Sequence, residues 1–314
     1  GFGLQRGSSV SIKFRNYTTQ AGITDDYFKV RSFLLSLGYS EFVYARWDWM
    51  ATHSWLDKTY IGKIGLWEDA GKIVGVATFD TQPGTAYCLA LPDFQPLKKE
   101  MLSYAERNLS KDGEFGIMIP DNDTAFQDIA AEAGYIASQN KEEDAVFNLD
   151  KTSTDYQLPE GFSITSMKEC FDLRQYRRVL WKGFNHELNG EGAFSFSKED
   201  EVEAREEMIR PFVDLDLKIA VVSPDGNFVS YCGMWFDQQA GFALIEPVAT
   251  DPDYRGMRLG KAAVLEGIRR VGLLGANFVF VGSSQQFYYS IGMRPYATST
   301  EWKKVKTEQE KPNE

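Results

Sequence analysis

Apolar and polar positions alternate along this chain in blocks that recur, in the same order, in its two halves. Lys63–Asp80 reads KIGLWEDAGKIVGVATFD and Lys218–Asp237 reads KIAVVSPDGNFVSYCGMWFD. Each is a pair of β-rich runs around a turn, with Asp69 and Gly71 in one and Asp225 and Gly226 in the other. Such turn residues between apolar runs predict a hairpin. After each hairpin a strand, Tyr87–Leu91 or Ala243–Ala249, leads into a helix, Leu97–Leu109 or Leu259–Gly272. A short strand follows, Gly116–Ile119 or Phe278–Gly282, and then a short helix ending in Ala133-Gly134-Tyr135 or Ile291-Gly292-Met293. Helical periodicity also precedes each hairpin, at Asp26–Leu37 and Cys170–Phe184. A further helix is predicted at Lys198–Ile209, with Ser197 as its N-cap. Its acidic run reads as a solvated face, the alternative being a rim that attracts cations. Asp150–Gly161 (DKTSTDYQLPEG) is polar, contains Pro159, and reads as a linker. Two copies of one α/β unit are therefore expected, at 10–150 and 161–304.

Composition narrows the function without changing that outline. A length of 314 residues suits two domains, and 43% hydrophobic with 14% aromatic residues suits folded cores. No apolar run approaches the ~20 residues of a membrane span, so no membrane partner is expected. Gly1–Ser9 has no signal-peptide pattern and is read as lying outside the fold. A net charge of −11 opposes a general nucleic-acid or anionic-membrane surface and favours a small or cationic partner. Cys88, Cys170 and Cys232 are odd in number and scattered, which signals neither a disulfide framework nor a zinc site and fits a reducing cytoplasm. With only His53 and His186 available, a multi-histidine metal centre is not expected.

The densest chemical signal is Glu246-Pro-Val-Ala-Thr-Asp-Pro-Asp-Tyr-Arg-Gly-Met-Arg-Leu-Gly-Lys-Ala262, which runs from a predicted strand through a turn into a predicted helix. Glycines before a helix let backbone N–H groups approach an anion, and the helix dipole adds favourable potential there. A Walker A loop needs four residues between its glycines and Ser or Thr after its lysine; Gly256-Met-Arg-Leu-Gly260-Lys261-Ala262 has three and an alanine. The dinucleotide pattern GxGxxG is also missing. Pro247 cannot donate to a sheet ladder, so it implies a bulge or a strand end. Glu246 beside it needs a reason to be tolerated on an apolar strand. Partial desolvation would raise its pKa and suit it to accept a proton; a structural carboxylate is the alternative.

Arg255, Gly256 and Gly260, with the lead-in Pro252-Asp-Tyr254, resemble the coenzyme motif of the GNAT superfamily, the acyl-CoA-dependent N-acetyltransferases. Arg258 stands where that motif usually has a glycine. The resemblance implies two tandem GNAT-like domains, each a mixed, mostly antiparallel sheet flanked by helices. It implies acetyl-CoA as co-substrate, held by Val248, Ala249 and Thr250 along its arm and by Arg255, Gly256, Met257, Arg258, Leu259, Gly260 and Lys261 around its pyrophosphate. Phe287-Tyr288-Tyr289-Ser290-Ile291-Gly292-Met293 is similar to the closing motif of the family, which makes Tyr288 the acid that protonates the leaving thiolate, or Tyr289 if the register moves by one. Glu246 takes the place of the general base.

The first half lacks these features. Leu91-Pro-Asp-Phe-Gln-Pro-Leu97 has two prolines and no glycine, and Ala130 falls where Tyr288 does. The first half is thus similar to a degenerate GNAT domain that would complete the fold, shape the acceptor pocket or supply an interface. Trp181–Gly192 mixes aromatic, glycine and polar residues and suits an acceptor-lining loop; His186 would bind substrate there or serve only the structure. The expected activity is transfer of an acetyl group to a primary amine of a small molecule, with self-association into a homodimer compatible with it. The alternatives are a protein-modifying acetyltransferase and a non-catalytic acyl-CoA-binding or interaction module.

Overall fold

The computed structural model describes residues 11–305, so Gly1–Ser9 lies outside the described residues. The chain divides into two compact units. One holds the described residues up to Glu142 together with those from Ala297 onward, and the other is Glu143–Tyr296.

The first unit contains β1 (Ile12–Asn16), α1 (Asp25–Leu37), α2 (Tyr44–Met50), β2 (Gly65–Asp69), β3 (Lys72–Asp80), β4 (Gln82–Ala90), α3 (Lys98–Asn108), β5 (Gly116–Pro120), α4 (Thr124–Glu132) and the first part of β6 (Tyr135–Asn148). The second unit contains the rest of β6, then β7 (Ser163–Ser166), α5 (Leu173–Gly183), α6 (Lys198–Met208), β8 (Lys218–Val222), β9 (Phe228–Phe236), β10 (Phe242–Thr250), α7 (Leu259–Leu273), β11 (Phe278–Val281), α8 (Gln286–Ile291) and the start of β12 (Arg294–Lys304). Residues 150–161 hold neither helix nor strand.

Each unit's sheet has the same plan. In the first, the order is β1-β2-β3-β4-β5-β12, with only β4 and β5 parallel among these pairs. In the second it is β7-β8-β9-β10-β11-β6, with only β10 and β11 parallel. The mixed, mostly antiparallel sheet flanked by helices is therefore present twice. The sixth strand of each sheet comes from the other half of the sequence. Ala145–Asn148 of β6 pair with β11, and Ser299–Trp302 of β12 pair with β5. Side chains reinforce the second pairing, since Thr298 and Thr300 donate to Asp121 at 2.5 and 2.6 Å and Thr85 donates to Glu301.

In the second unit the strand alternation sorts side chains onto two faces. Ile219, Val221, Cys232, Met234, Ala243 and Ile245 pack on one face against Val264, Ile268 and Val271 of α7 and Ile291 of α8. Those three α7 residues are fully buried, and burial of side chains this size stabilises by about 1.5–3 kcal/mol each. On the other face Ala220, Phe228 and Tyr231 pack with Tyr176 and Val179 of α5 and Ala204 and Met208 of α6. The N-cap predicted at Ser197 is formed, and Asp200 extends it to a capping box: the Ser197 hydroxyl accepts from Asp200 N, and the Asp200 carboxylate accepts from Ser197 N.

Candidate active site

Strand β10 is paired with β9 on one side and, beyond Leu244, open on the other. It meets β11 in parallel only through Phe242, Ala243 and Leu244. Its antiparallel register with β9 shifts between Ile245 and Val248, so that Glu246 and Pro247 together face the single residue Gly233. Two residues opposite one is a β-bulge, here at the proline that cannot donate to the ladder. Beyond the bulge Asp251 N donates to Val229 O at 2.9 Å. Alternation along an antiparallel pair then turns the main chain of Ala249 toward β9 and those of Val248 and Thr250 toward the open side. Of the three residues expected along an extended ligand arm, Val248 and Thr250 thus turn their peptide groups away from β9.

A single 3₁₀ turn, Pro252–Tyr254, connects β10 to the approach of α7. Arg255 is extended, Gly256 has φ +81°, and Arg258 adopts the left-handed conformation at φ +61°, ψ +26°. Helix α7 then begins at Leu259 with no side-chain cap. The N–H groups of Leu259, Gly260 and Lys261 lie in the first helical turn, where no intrahelical acceptor exists, and they stand at the positive end of the helix dipole. A side chain on Gly260 would place its Cβ 3.2 Å from both the Phe287 ring and Thr250 Oγ1. The helix start is therefore seated against the end of β10 and against α8, which brings the turn and the open strand edge together. Arg258 resolves the departure from the glycine pattern: its backbone takes the conformation a glycine would, at a cost of about 1 kcal/mol, and its side chain is exposed.

The guanidinium of Arg255 donates to Gly183 O at 3.0 Å and to Asn185 Oδ1 at 2.7 Å. In this structure it holds the end of α5. The same corner is closely packed, for a Cβ on Gly183 would lie 2.6 Å from Ala249 Cβ and 2.9 Å from Thr250 N. Sequence reading placed Gly183 and Asn185 in a candidate acceptor-lining loop but did not foresee them as partners of Arg255.

Glu246 is half-buried at the bulge, and its carbonyl accepts from Trp235 Nε1 at 2.9 Å. Tyr288 lies on α8, 8% exposed, in the same core as α7. Burial raises its pKa above the usual phenol value, and the neighbouring Cys232 and Glu246 add to that, so the hydroxyl keeps its proton through neutral pH. The Glu246 charge is thus felt at the Tyr288 hydroxyl. Burial also pushes the Cys232 thiol up to about 12, so it is no thiolate nucleophile. Tyr289, the neighbour of Tyr288 on α8, is half-buried against the same core. His186 stacks on Trp181 with ring centres 4.3 Å apart, and its Nδ1 lies 2.8 Å from Glu191 Oε2.

The first unit has no such site at the corresponding place. Pro92–Leu97 forms a 3₁₀ turn, and α3 begins beyond it at Lys98, whose ammonium is buried 3.0 Å from Asp123 and 4.7 Å from the centre of the Phe126 ring. Ala130 is fully buried. No group of three or more His, Cys, Asp or Glu that could hold a metal is found among the described residues, and no described helix is long and apolar enough to cross a membrane.

Residues 180–293 match the sequence model of the acetyltransferase (GNAT) family. That span covers the bulged strand, the turn, α7 and Tyr288. No curated protein matches the chain. Among solved structures, a GCN5-related N-acetyltransferase from Sphaerobacter thermophilus is 15% identical, with 93% of this chain and 95% of that one covered at a TM-score of 0.57. A tandem GNAT protein from the clavulanic acid biosynthesis pathway is 12% identical, with coverage of 93% and 97% and a TM-score of 0.60. A GNAT-family acetyltransferase from Colwellia psychrerythraea is 11% identical, with coverage of 93% and 100% and a TM-score of 0.55. The class that residues 180–293 resemble is that of the GNAT acetyltransferases. The fold around them is the tandem GNAT fold.

Proposed function

We propose that the second unit transfers an acetyl group from acetyl-CoA to a primary amine of a small molecule. The observation that carries this reading is the continuity of an open, bulged β10 with an uncapped α7 and a protonated Tyr288 beside them. Peptide groups of Val248 and Thr250, with Ala249 between them, would run along the pantetheine arm. The main chain from Arg255 through Gly256, Met257, Arg258, Leu259 and Gly260 to Lys261 would cradle the pyrophosphate.

 Leu259 fixes that cradle by burying its side chain in the core. The guanidinium of Arg255 would meanwhile keep the end of α5 in place.

In the reaction Glu246 takes a proton from the ammonium form of the acceptor, and the freed amine attacks the thioester carbonyl. Main-chain amides meet the charge that develops on the carbonyl oxygen. The carbon–sulfur bond then breaks, Tyr288 gives its proton to the departing thiolate, and the second proton shed by the new amide nitrogen restores the Tyr288 phenol. The net charge of −11 favours an acceptor that arrives as a cation. Calorimetric titration with acetyl-CoA tests the first step, and no binding at millimolar ligand would sink the proposal. Thiol release with a panel of amines tests the second. If binding is intact but Glu246→Gln and Tyr288→Phe release thiol as fast as the parent protein, catalysis by these residues is wrong; if the parent binds acetyl-CoA but releases no thiol with any amine, the chain is a non-catalytic acyl-CoA-binding module.

A further inference from the structure

The bulge in β10 is held by side chains of the neighbouring strand that the reaction does not otherwise use. Trp235 is 4% exposed, and its indole N–H donates to the Glu246 carbonyl at 2.9 Å. That carbonyl stands over Gly233, where a Cβ would lie 2.6 Å from it. Directly across from Gly233 in the register is Lys218, itself 3% exposed, with its ammonium 3.6 Å from the centre of the Trp235 ring and donating to Met234 O at 3.0 Å. The Arg210 guanidinium lies 5.2 Å from the centre of the same ring. A cation over an indole withdraws electron density from the ring, which makes its N–H a stronger donor.

We infer that Trp235 is a positioning residue for Glu246, with Gly233 leaving the room that the arrangement needs. The inference rests on the reading of Glu246 as the base. Its physical basis is that the Glu246 carbonyl and the Pro247 nitrogen share one peptide plane. Fixing the oxygen against Trp235 fixes that plane, and with it the direction in which the Glu246 side chain leaves the strand. Neither residue reaches the open edge of β10 where the coenzyme arm would lie, because both belong to β9 on its paired side. Loss of the indole donor should therefore disturb proton transfer and leave coenzyme binding intact.

The test is a double-mutant cycle on the whole chain, comparing the parent, Trp235→Phe, Glu246→Gln and the double variant. Thiol release from acetyl-CoA is measured with the best amine of the panel, and acetyl-CoA affinity by calorimetry. Trp235→Phe is expected to lower kcat about tenfold or more, since small misplacements of a catalytic group have effects of that order or larger. It should leave the acetyl-CoA Kd within about twofold and shift the acidic limb of the pH profile of kcat/KM. In the Glu246→Gln background the same change should alter kcat by less than about twofold, because its route of action is already gone. An equal loss in both backgrounds would make Trp235 merely structural and overturn the inference, as would an unchanged kcat in Trp235→Phe when Glu246→Gln is impaired. An unimpaired Glu246→Gln would instead overturn the assignment of the base, and this inference with it. Gly233→Ala displaces the same carbonyl from the other side. It should reproduce the Trp235→Phe pattern and serves as the test if the tryptophan variant does not fold.

Discussion

The parallel strand pair of each unit carries the comparison that matters most. In the first unit β4 runs beside β3 without interruption from Gly75↔Ala90 to Phe79↔Ala86, and it leaves β5 after Ala86. In the second unit β10 leaves β11 after Leu244 and at once bulges at Glu246 and Pro247. Both units open the same notch, but only the second turns a carboxylate-bearing residue at its edge. The connections that follow differ in the same sense. The first unit has prolines where donors would be needed and a buried Lys98 committed to Asp123, while the second has Gly256 and a left-handed Arg258 leading into an uncapped helix. On the proposed reading a shared backbone plan does not by itself carry chemistry; a few residues at the notch would.

The largest effect expected from this comparison is on turnover. Tyr288→Phe and Glu246→Gln should each lower thiol release by about 10²-fold or more, the usual range for general acid–base groups. Ala130→Ser, at the corresponding place in the first unit, should leave it unchanged. A loss in the Ala130 variant comparable to that of Tyr288→Phe would end the assignment of chemistry to one unit. Next in size is coenzyme affinity. Gly256→Val forces a β-branched residue to φ +81° and should raise the acetyl-CoA Kd at least tenfold, whereas Pro96→Ala in the first unit should leave it within about twofold.

Two buried carboxylates sharpen the contrast through opposite pH dependence. Burial would raise the pKa of Glu266 on α7, but hydrogen bonds from Arg269, Arg270 and Tyr156 outweigh it and lower the value to about 2. Its stabilisation is present above the unfolded value near 4.5 and is lost as pH falls through about 2. Glu266→Gln should thus cost on the order of 2 kcal/mol at pH 7, with the deficit shrinking on acidification. Glu41 in the first unit behaves in the reverse way. Its Oε1 is sealed from solvent without a hydrogen-bond partner, and burial pushes its pKa up to about 7. The folded protein then holds a proton that the unfolded chain releases, so stability falls as pH rises from about 4.5 to 7. Glu41→Gln should raise the melting temperature at pH 8 and change it little at pH 4. Calorimetric scans across pH check both, and parallel pH profiles for the two variants would refute the assignments.

The smallest effect concerns the left-handed residue in the turn. Arg258→Gly removes the steric cost of φ +61° and should stabilise the chain by about 0.5–1 kcal/mol, with acetyl-CoA affinity within about threefold of the parent. A tenfold loss of affinity would show that the arginine side chain meets the phosphates.

Much of this arrangement was legible in the sequence because it depends on local rules. Helix α7 was predicted at Leu259–Gly272 and found at Leu259–Leu273, since an amphipathic period and a glycine-bearing turn fix such an element within a few residues of chain. Pro247 announced the break in β10 because the missing donor belongs to the residue itself. Strands β1 and β7 and helix α2 escaped notice, being seven residues or shorter, and so did β6 and β12, which are 14 and 11 residues long but largely polar and exposed along much of their length. The hydrogen-bond partners of Arg255 could not be read locally, for Gly183 and Asn185 lie about 70 positions earlier.

By itself the sequence determined the two copies, the hairpin–strand–helix order within each, and the unequal distribution of glycine, proline and acid between their notches. Periodicity, turn chemistry and missing donors act between near neighbours, so they can be read along the chain. Only the tertiary structure decided that β6 and β12 each complete the sheet of the other half, that Trp235 holds the Glu246 carbonyl, and that the Arg258 backbone takes the place of a glycine. Those outcomes depend on which edge is left unpaired, and on which donor reaches which acceptor, once the chain has closed on itself.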